Sequence, residues 1–299
     1  MDKKLFQGVA TALVTPFTAS GAIDEPALRR LVDFQIREGV DMIVPCGSTG
    51  EGATLEPDEA ERVLRIVVEE AGGRVPVIFG GGSNSTAKAV QGAERAKRLG
   101  AAAVLSVGPY YNKPTQQGFY EHFKAVAAVG IPVIIYNIPG RTGSNIDAGT
   151  QLRLAELPHI AGVKESSGNF AQIMEILRSR PRDFRVLAGD DNLALPLIAL
   201  GCDGLVSVVS NQTPAMVRAM IDAALEGDFA TARALHYKLL PLMNANFLET
   251  NPIPVKAGLA MMGLMGETCR LPLTPITAPN REKLRAALEQ MGLLQSVGA

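Results

Sequence analysis

A lysine at the end of an apolar run is the side chain best placed for covalent chemistry in this sequence. In Ile160-Ala161-Gly162-Val163-Lys164-Glu165 the strand-like neighbours would strip water from the Lys164 ammonium. That favours the neutral amine, which attacks carbonyl carbons to give an imine. The competing lysine is Lys256, in Asn251-Pro252-Ile253-Pro254-Val255-Lys256. That segment reads as helical and lies beyond the strands, so its long stem could carry the charge to water, and the strand-end position favours Lys164. Tyr136 closes a second apolar run, Val133-Ile134-Ile135-Tyr136-Asn137. Its phenol can donate, accept or pass on a proton, although alone it is equally an ordinary amphipathic strand end.

Two further segments could hold carboxylates. In Cys46-Gly47-Ser48-Thr49-Gly50-Glu51 small residues free the backbone N–H groups to converge on an anion, with the Ser48 and Thr49 hydroxyls beside them. The alternative is a glycine-rich turn whose Ser or Thr caps the next helix. Arg141, in Pro139-Gly140-Arg141-Thr142-Gly143, offers a fork that matches a carboxylate, or else is a solvated loop charge. Tyr110 and Tyr111, within Pro109–Pro114, are a weak signal by themselves.

Other motifs argue against whole reaction classes. Gly80-Gly81-Gly82-Ser83-Asn84 lacks a following Gly-Lys-Ser/Thr, and GxGxxG is absent, so a turn plus helix cap is expected there. Gly189-Asp190-Asp191 could be a metal pair or a helix cap; His122, His159 and His236 are scattered and give it no company, so capping is favoured and no metal is expected. The same scatter leaves no Ser–His–Asp triad. Cys46, Cys202 and Cys269 are odd in number and far apart, which points to reduced, packed thiols.

The elements that must position these residues alternate regularly. Short β-rich runs at Val9–Thr15, Met42–Cys46, Val75–Phe79, Ala102–Val107, Val133–Asn137, Ile160–Lys164, Arg185–Ala188 and Gly204–Val208 are separated by helical stretches. Those stretches include Glu25–Glu38, Asp58–Ala71, Thr86–Leu99, Gln116–Ala128 and Phe170–Arg178. Strict alternation means parallel strands, and eight units without a nucleotide fingerprint favour a closed (β/α)8 TIM barrel over a doubly wound sheet. In that fold the active site lies at the C-terminal strand ends, where Ser48, Tyr136 and Lys164 fall. From about Pro214 the pattern is helical, over Pro214–Glu226, Asp228–Phe247 and Arg281–Met291. The expected division is a barrel over residues 1–225 and a C-terminal helical extension over 226–299.

Of the 299 residues, 29 are basic and 30 acidic, so no strong field is available for nucleic acid or an anionic membrane. Apolar runs fall short of the roughly 18 residues that span a bilayer, and Met1-Asp2-Lys3-Lys4-Leu5-Phe6 lacks the apolar stretch of a signal peptide. A cytoplasmic protein acting on small molecules is expected.

In this order, Gly47–Glu51, Tyr110–Pro114, Tyr136–Pro139, Gly140–Gly143, Val163–Glu165, Gly189–Asp191 and Asn251–Lys256 resemble the dihydrodipicolinate synthase and N-acetylneuraminate lyase superfamily of class I aldolases. The resemblance runs from Gly8 to Ala278. The Arg141-Thr142 pair and the Asn-Pro-Ile-Pro-Val-Lys segment are more similar to the dihydrodipicolinate synthases than to the sialate lyases.

The resemblance implies a reaction joining pyruvate to aspartate-4-semialdehyde, at the entry to lysine and diaminopimelate synthesis, with no metal or organic cofactor. Lys164 would form the imine, while Ser48, Thr49 and their N–H groups would receive the pyruvate carboxylate. Tyr136 would relay protons through the Ser48 hydroxyl to Tyr111 of a neighbouring subunit. Many members carry threonine at Ser48, and the hydroxyl is kept here. Arg141 would face the aldehyde's carboxylate, with Gly189, Val206 and Asn251 completing the substrate contacts.

The resemblance also implies a homo-oligomer, a tetramer built as a dimer of tight dimers. It implies weak inhibition by lysine at most, because Pro57, Ala60 and Lys88 stand where lysine-sensitive relatives carry polar residues and a glutamate. Two other readings stay open: a related aldolase or dehydratase acting on sialate or a 2-keto-3-deoxy sugar acid, and a silent barrel that senses keto acids.

Overall fold

The computed structural model describes residues 6–294, so the expectation read from Met1–Leu5 and the end of the 226–299 region lie outside the described residues. Eight strands, β1 (Gly8–Ala12), β2 (Met42–Val44), β3 (Ile78–Gly80), β4 (Ala103–Val107), β5 (Val133–Asn137), β6 (Ile160–Glu165), β7 (Arg185–Ala188) and β8 (Gly204–Ser207), run parallel in the order β2-β1-β8-β7-β6-β5-β4-β3. An isolated parallel bridge, Ile43 to Val77, joins the two ends of this order. Ile43 N–H donates to Pro76 O at 3.1 Å and Gly80 N–H to Pro45 O at 2.9 Å, so the sheet closes into a TIM barrel.

Helices α1 (Glu25–Arg37), α2 (Pro57–Ala71), α3 (Thr86–Arg98), α4 (Gln116–Ala127), α5 (Pro139–Thr142), α6 (Ala148–Ala155), α7 (Phe170–Ser179), α8 (Ala194–Ala199) and α9 (Pro214–Leu225) follow the strands in turn. After them come α10 (Phe229–Ala245), α11 (Ile253–Met261) and α12 (Ala278–Gln290). Side chains alternate across each strand. Ala10, Met42, Ile78, Leu105, Ile134 and Leu187 therefore fill the interior, while Val9, Ile43, Val104, Ile135, Val163 and Leu205 face the helices. Asp24, Thr115, Asp147, Asn169 and Asp228 accept N–H groups at the starts of α1, α4, α6, α7 and α10, which satisfies donors the first helical turn cannot pair.

The expected strands are all present, with displaced ends. β2 stops at Val44 because Cys46 takes a left-handed backbone, φ 59°; β3 begins only at Ile78, since Pro76 has no N–H to give. The short helices α5 and α8 carry no sequence signal long enough to reveal them. The helices from α10 onward contribute Leu239, Leu242, Leu259 and Leu284 to the same hydrophobic cluster that underlies the barrel helices. All three cysteines are free, Cys46 and Cys202 buried and Cys269 partly so.

Candidate active site

Tyr136 and Lys164 are opposite each other across the β5–β6 ladder. Paired residues on adjacent strands project to the same face, here the barrel mouth, where both are buried. The Lys164 Nζ lies 4.3 Å from the Tyr136 ring centroid and, among the described residues, has no hydrogen bond or ion pair. Its neighbour Glu165 points to the other face, where Asn137, Gln151 and the Ser167 N–H saturate it. Gly189 ends β7 beside the lysine. A Cβ there would sit 1.8 Å from Ser166 Oγ and 3.0 Å from Lys164 Cε, so only glycine leaves room for the stem.

The loop after β2 approaches from the opposite side. Cys46 and Glu51 both have left-handed backbones, φ 59° and 52°, which bend Cys46–Glu51 into a tight arc. A Cβ on Gly80 would lie 2.5 Å from the Cys46 carbonyl carbon, so β3 ends in a glycine pressed against this arc. Neither Ser48 nor Thr49 caps the following helix, because α2 is capped by Glu56 in a reciprocal pair with Glu59. Thr49 is buried, and its Oγ1 accepts a hydrogen bond from Asn251 Nδ2 at 2.9 Å. The Asn251 carbonyl in turn accepts from Arg141 Nη2 at 3.3 Å.

One cavity at the mouth gathers Lys164, Tyr136, Ser48, Thr49, Arg141, Gly189, Val206 and Asn251. Tyr111 is the expected site residue that stands apart. It is 89% exposed, on left-handed backbone with φ 72°. The cavity walls include three residues that sequence reasoning did not select, Ile138, Asp190 and Phe247. Phe247, just past α10, has no local signal; folding alone brings it to the mouth.

Two expectations need correction. Asp190 and Asp191 do not cap their own helical turn, which has no side-chain cap. Asp190 lines the cavity, where burial raises its carboxyl above the usual range against the pull of the Lys164 charge. Asp191 caps the turn after β8, accepting from Ser207 Oγ at 2.5 Å and from the N–H groups of Val208 and Val209 at 3.0 Å each. Lys256 is helical as expected, yet it does not reach water. Its side chain is fully buried, 2.5 Å from Glu51 Oε1, and so is committed to an ion pair. Burial pulls its ammonium below the usual lysine range, and Glu51 pulls the other way.

The Gly80–Asn84 loop leads into α3, capped by Ser85, and borders a second, wider cleft with Lys88 and Tyr110. Among the described residues no group of three or more His, Cys, Asp or Glu is arranged to hold a metal, and no helix is long and apolar enough to cross a membrane.

Chemically, the cavity offers an unpaired amine, a phenol against it, a hydroxyl-bearing arc at one side and a guanidinium at the rim. Comparison with known proteins shows the family. The sequence model of the dihydrodipicolinate synthetase family matches residues 5–291. A 4-hydroxy-tetrahydrodipicolinate synthase of Acidobacterium capsulatum is 54% identical over 290 residues, 96% of each chain. The crystal structure of dihydrodipicolinate synthase from Aquifex aeolicus superimposes with a TM-score of 0.95 at 47% identity, covering 97% of this chain and 100% of that one. A structure described as the first monomeric dihydrodipicolinate synthase variant also superimposes at 0.95, with 40% identity over 98% of this chain and 99% of that one. By its barrel, its lysine-centred mouth and these near full-length matches, the chain belongs to the dihydrodipicolinate synthetase family.

Proposed function

We propose that the protein condenses pyruvate with aspartate-4-semialdehyde through an imine on Lys164, in the cytoplasm, at the entry to lysine and diaminopimelate synthesis. The observation that carries this reading is the unpaired Lys164 Nζ held over the Tyr136 ring, in a cavity also lined by Ser48, Thr49 and Arg141.

Lys164 attacks the keto carbon and water leaves. The protonated imine then acts as an electron sink, so the methyl group can lose a proton. The enamine attacks the aldehyde carbon, and the new alkoxide takes a proton through Tyr136. The N–H groups and hydroxyls of Ser48 and Thr49 hold the pyruvate carboxylate, while Gly189, Val206 and Asn251 shape the space around it. Arg141 fixes the distant carboxylate of the semialdehyde, which orients the aldehyde for attack. The substrate's own amine closes the ring, and transimination frees the product from Lys164.

Tyr111, exposed in the single chain, completes the proton relay from a neighbouring subunit in a tetramer made of two tight dimers. A coupled assay with pyruvate and aspartate-4-semialdehyde tests the reading. Turnover supports the synthase, cleavage of sialate in its place supports a lyase, and binding without turnover supports a sensor.

A further inference from the structure

Lys256 and Glu51 form an ion pair sealed from water, with side chains 0% and 1% exposed, and neither lines the mouth cavity. Glu51 is the last residue of the arc after β2, and its second carboxylate oxygen accepts the Arg270 backbone N–H at 2.9 Å. The Lys256 ammonium also donates to Thr15 O at 3.0 Å and lies 4.4 Å from the Phe17 ring centroid. Thr15 Oγ1 in turn donates to Gly50 O at 2.7 Å. At the head of the same C-terminal segment, Asn251 Nδ2 holds Thr49 Oγ1. Thr49, Gly50 and Glu51 are thus anchored in succession, by Asn251, by Thr15 on which Lys256 bears, and by Lys256 together with the Arg270 N–H.

Such a pair is a poor source of net stability. Two charges removed from water are often no more stable than apolar groups of the same volume, whereas geometry is specified tightly by a directional contact of this kind. The geometry at stake is unusual, because the arc has left-handed residues at both ends, Cys46 and Glu51, a conformation that costs energy and persists where the surroundings hold it.

We propose that Lys256 and Glu51 are positioning residues for the keto-acid carboxylate: the buried pair clamps Thr49–Glu51 and so fixes the arc that presents Ser48 and Thr49 to the mouth cavity, where that carboxylate binds. The inference rests on reading this arc as the pyruvate carboxylate site. It makes the affinity for pyruvate, and not the chemical step or the semialdehyde, the property that the pair controls.

Replacing one partner strands a buried charge, so the informative protein is the double variant Lys256→Met/Glu51→Gln, which removes both. It should melt close to the parent and still trap pyruvate on Lys164 under borohydride. Its KM for pyruvate should rise at least about tenfold, with kcat and the KM for semialdehyde changed by less than about twofold. Thr15→Val leaves the pair intact and removes only the tie to Gly50; it should show the same split at about threefold, and it decides the matter if the double variant does not fold. An unchanged pyruvate KM in Thr15→Val or in the folded double variant overturns the clamp, as does a fall in kcat without a rise in that KM. Failure of the parent to trap pyruvate on Lys164 is a different result, because it occurs with the pair intact and overturns the reading of the site itself.

Discussion

Lys164 and Tyr136 are register partners on adjacent parallel strands, with the amine nitrogen 4.3 Å from the centre of the phenol ring. The distance between the proposed nucleophile and the proposed proton carrier is set by a backbone ladder and not by a loop, so it is held to the tolerance of the sheet. Borohydride reduction with pyruvate should add mass to the peptide containing Lys164 and to no other. Lys164→Ala should abolish the adduct, and Tyr136→Phe should lower kcat by about a hundredfold to ten-thousandfold while the fold persists. An adduct on Lys256, or full activity in Lys164→Ala, would refute the assignment.

Among the described residues the Arg141 guanidinium donates only to the Asn251 carbonyl, at 3.3 Å, leaving the rest of its fork for a ligand. Arg141→Ala removes charge-assisted bonds of about 1.5–3 kcal/mol, or roughly a tenfold to hundredfold rise in the KM for the semialdehyde. The KM for pyruvate should change little. Steady-state kinetics with each substrate varied in turn checks this, and equal effects on both would refute the division of labour.

Tyr111 projects from its own chain at 89% exposure. If a neighbour uses it, Tyr111→Phe and Lys164→Ala proteins, each nearly inactive, should regain activity on mixing and subunit exchange, because some hybrid sites then receive both intact residues. Analytical sedimentation at assay concentrations should show an oligomer. A fully active monomer would remove the role given to Tyr111.

Lysine should inhibit weakly or not at all. Lys88 lines the wider cleft together with Asn84, Tyr110, Pro57 and Ala60. A ligand ammonium approaching Lys88 meets repulsion on the order of 1 kcal/mol or more. Initial rates across a lysine series decide it: strong, saturable inhibition at submillimolar lysine would defeat the argument.

Acid should weaken the fold in two stages. Burial lowers the His122 pKa to about 4, whereas an unfolded histidine takes its proton near 6.5. Over that interval the unfolded chain binds more protons, so stability falls as pH falls from about 6.5 to about 4. Glu59, held at about 2 chiefly by its hydrogen bonds from Arg270, adds a smaller loss below its ordinary 4.5, reduced by solvent screening at its partly exposed position. Melting temperature followed against pH should show both declines, and His122→Gln should flatten the first. A profile flat from neutrality to about pH 5 would contradict the assignment.

What could be read from the sequence was whatever depends on local period. The strand ends at Tyr136 and Lys164 follow from apolar runs of strand length, and Ser48-Thr49 from the small residues around them. Contacts between distant segments left no such trace. Lys256 looked free to reach water because its partner Glu51 is 205 positions away. Asp191 looked like a cap for its own turn because the N–H groups it accepts belong to the next strand's exit. From its own segment Arg141 stayed open between a carboxylate fork and a loop charge because α5 is a single turn, too short for any period to show.

The ring of strands is joined between β2 and β3 by an isolated bridge and two flanking backbone hydrogen bonds. The arc proposed to receive the keto-acid carboxylate begins where β2 ends and is pressed against Gly80 at the end of β3. The seam closed by a single bridge and the proposed anion seat are therefore the same place. Local opening takes the least-bonded route, and opening here would spread the donors that must converge. A molecule that binds only the closed ring raises the cost of opening it. On the proposed reading, bound substrate would act as a rivet across the seam, and the protein would be mechanically most complete when it is at work.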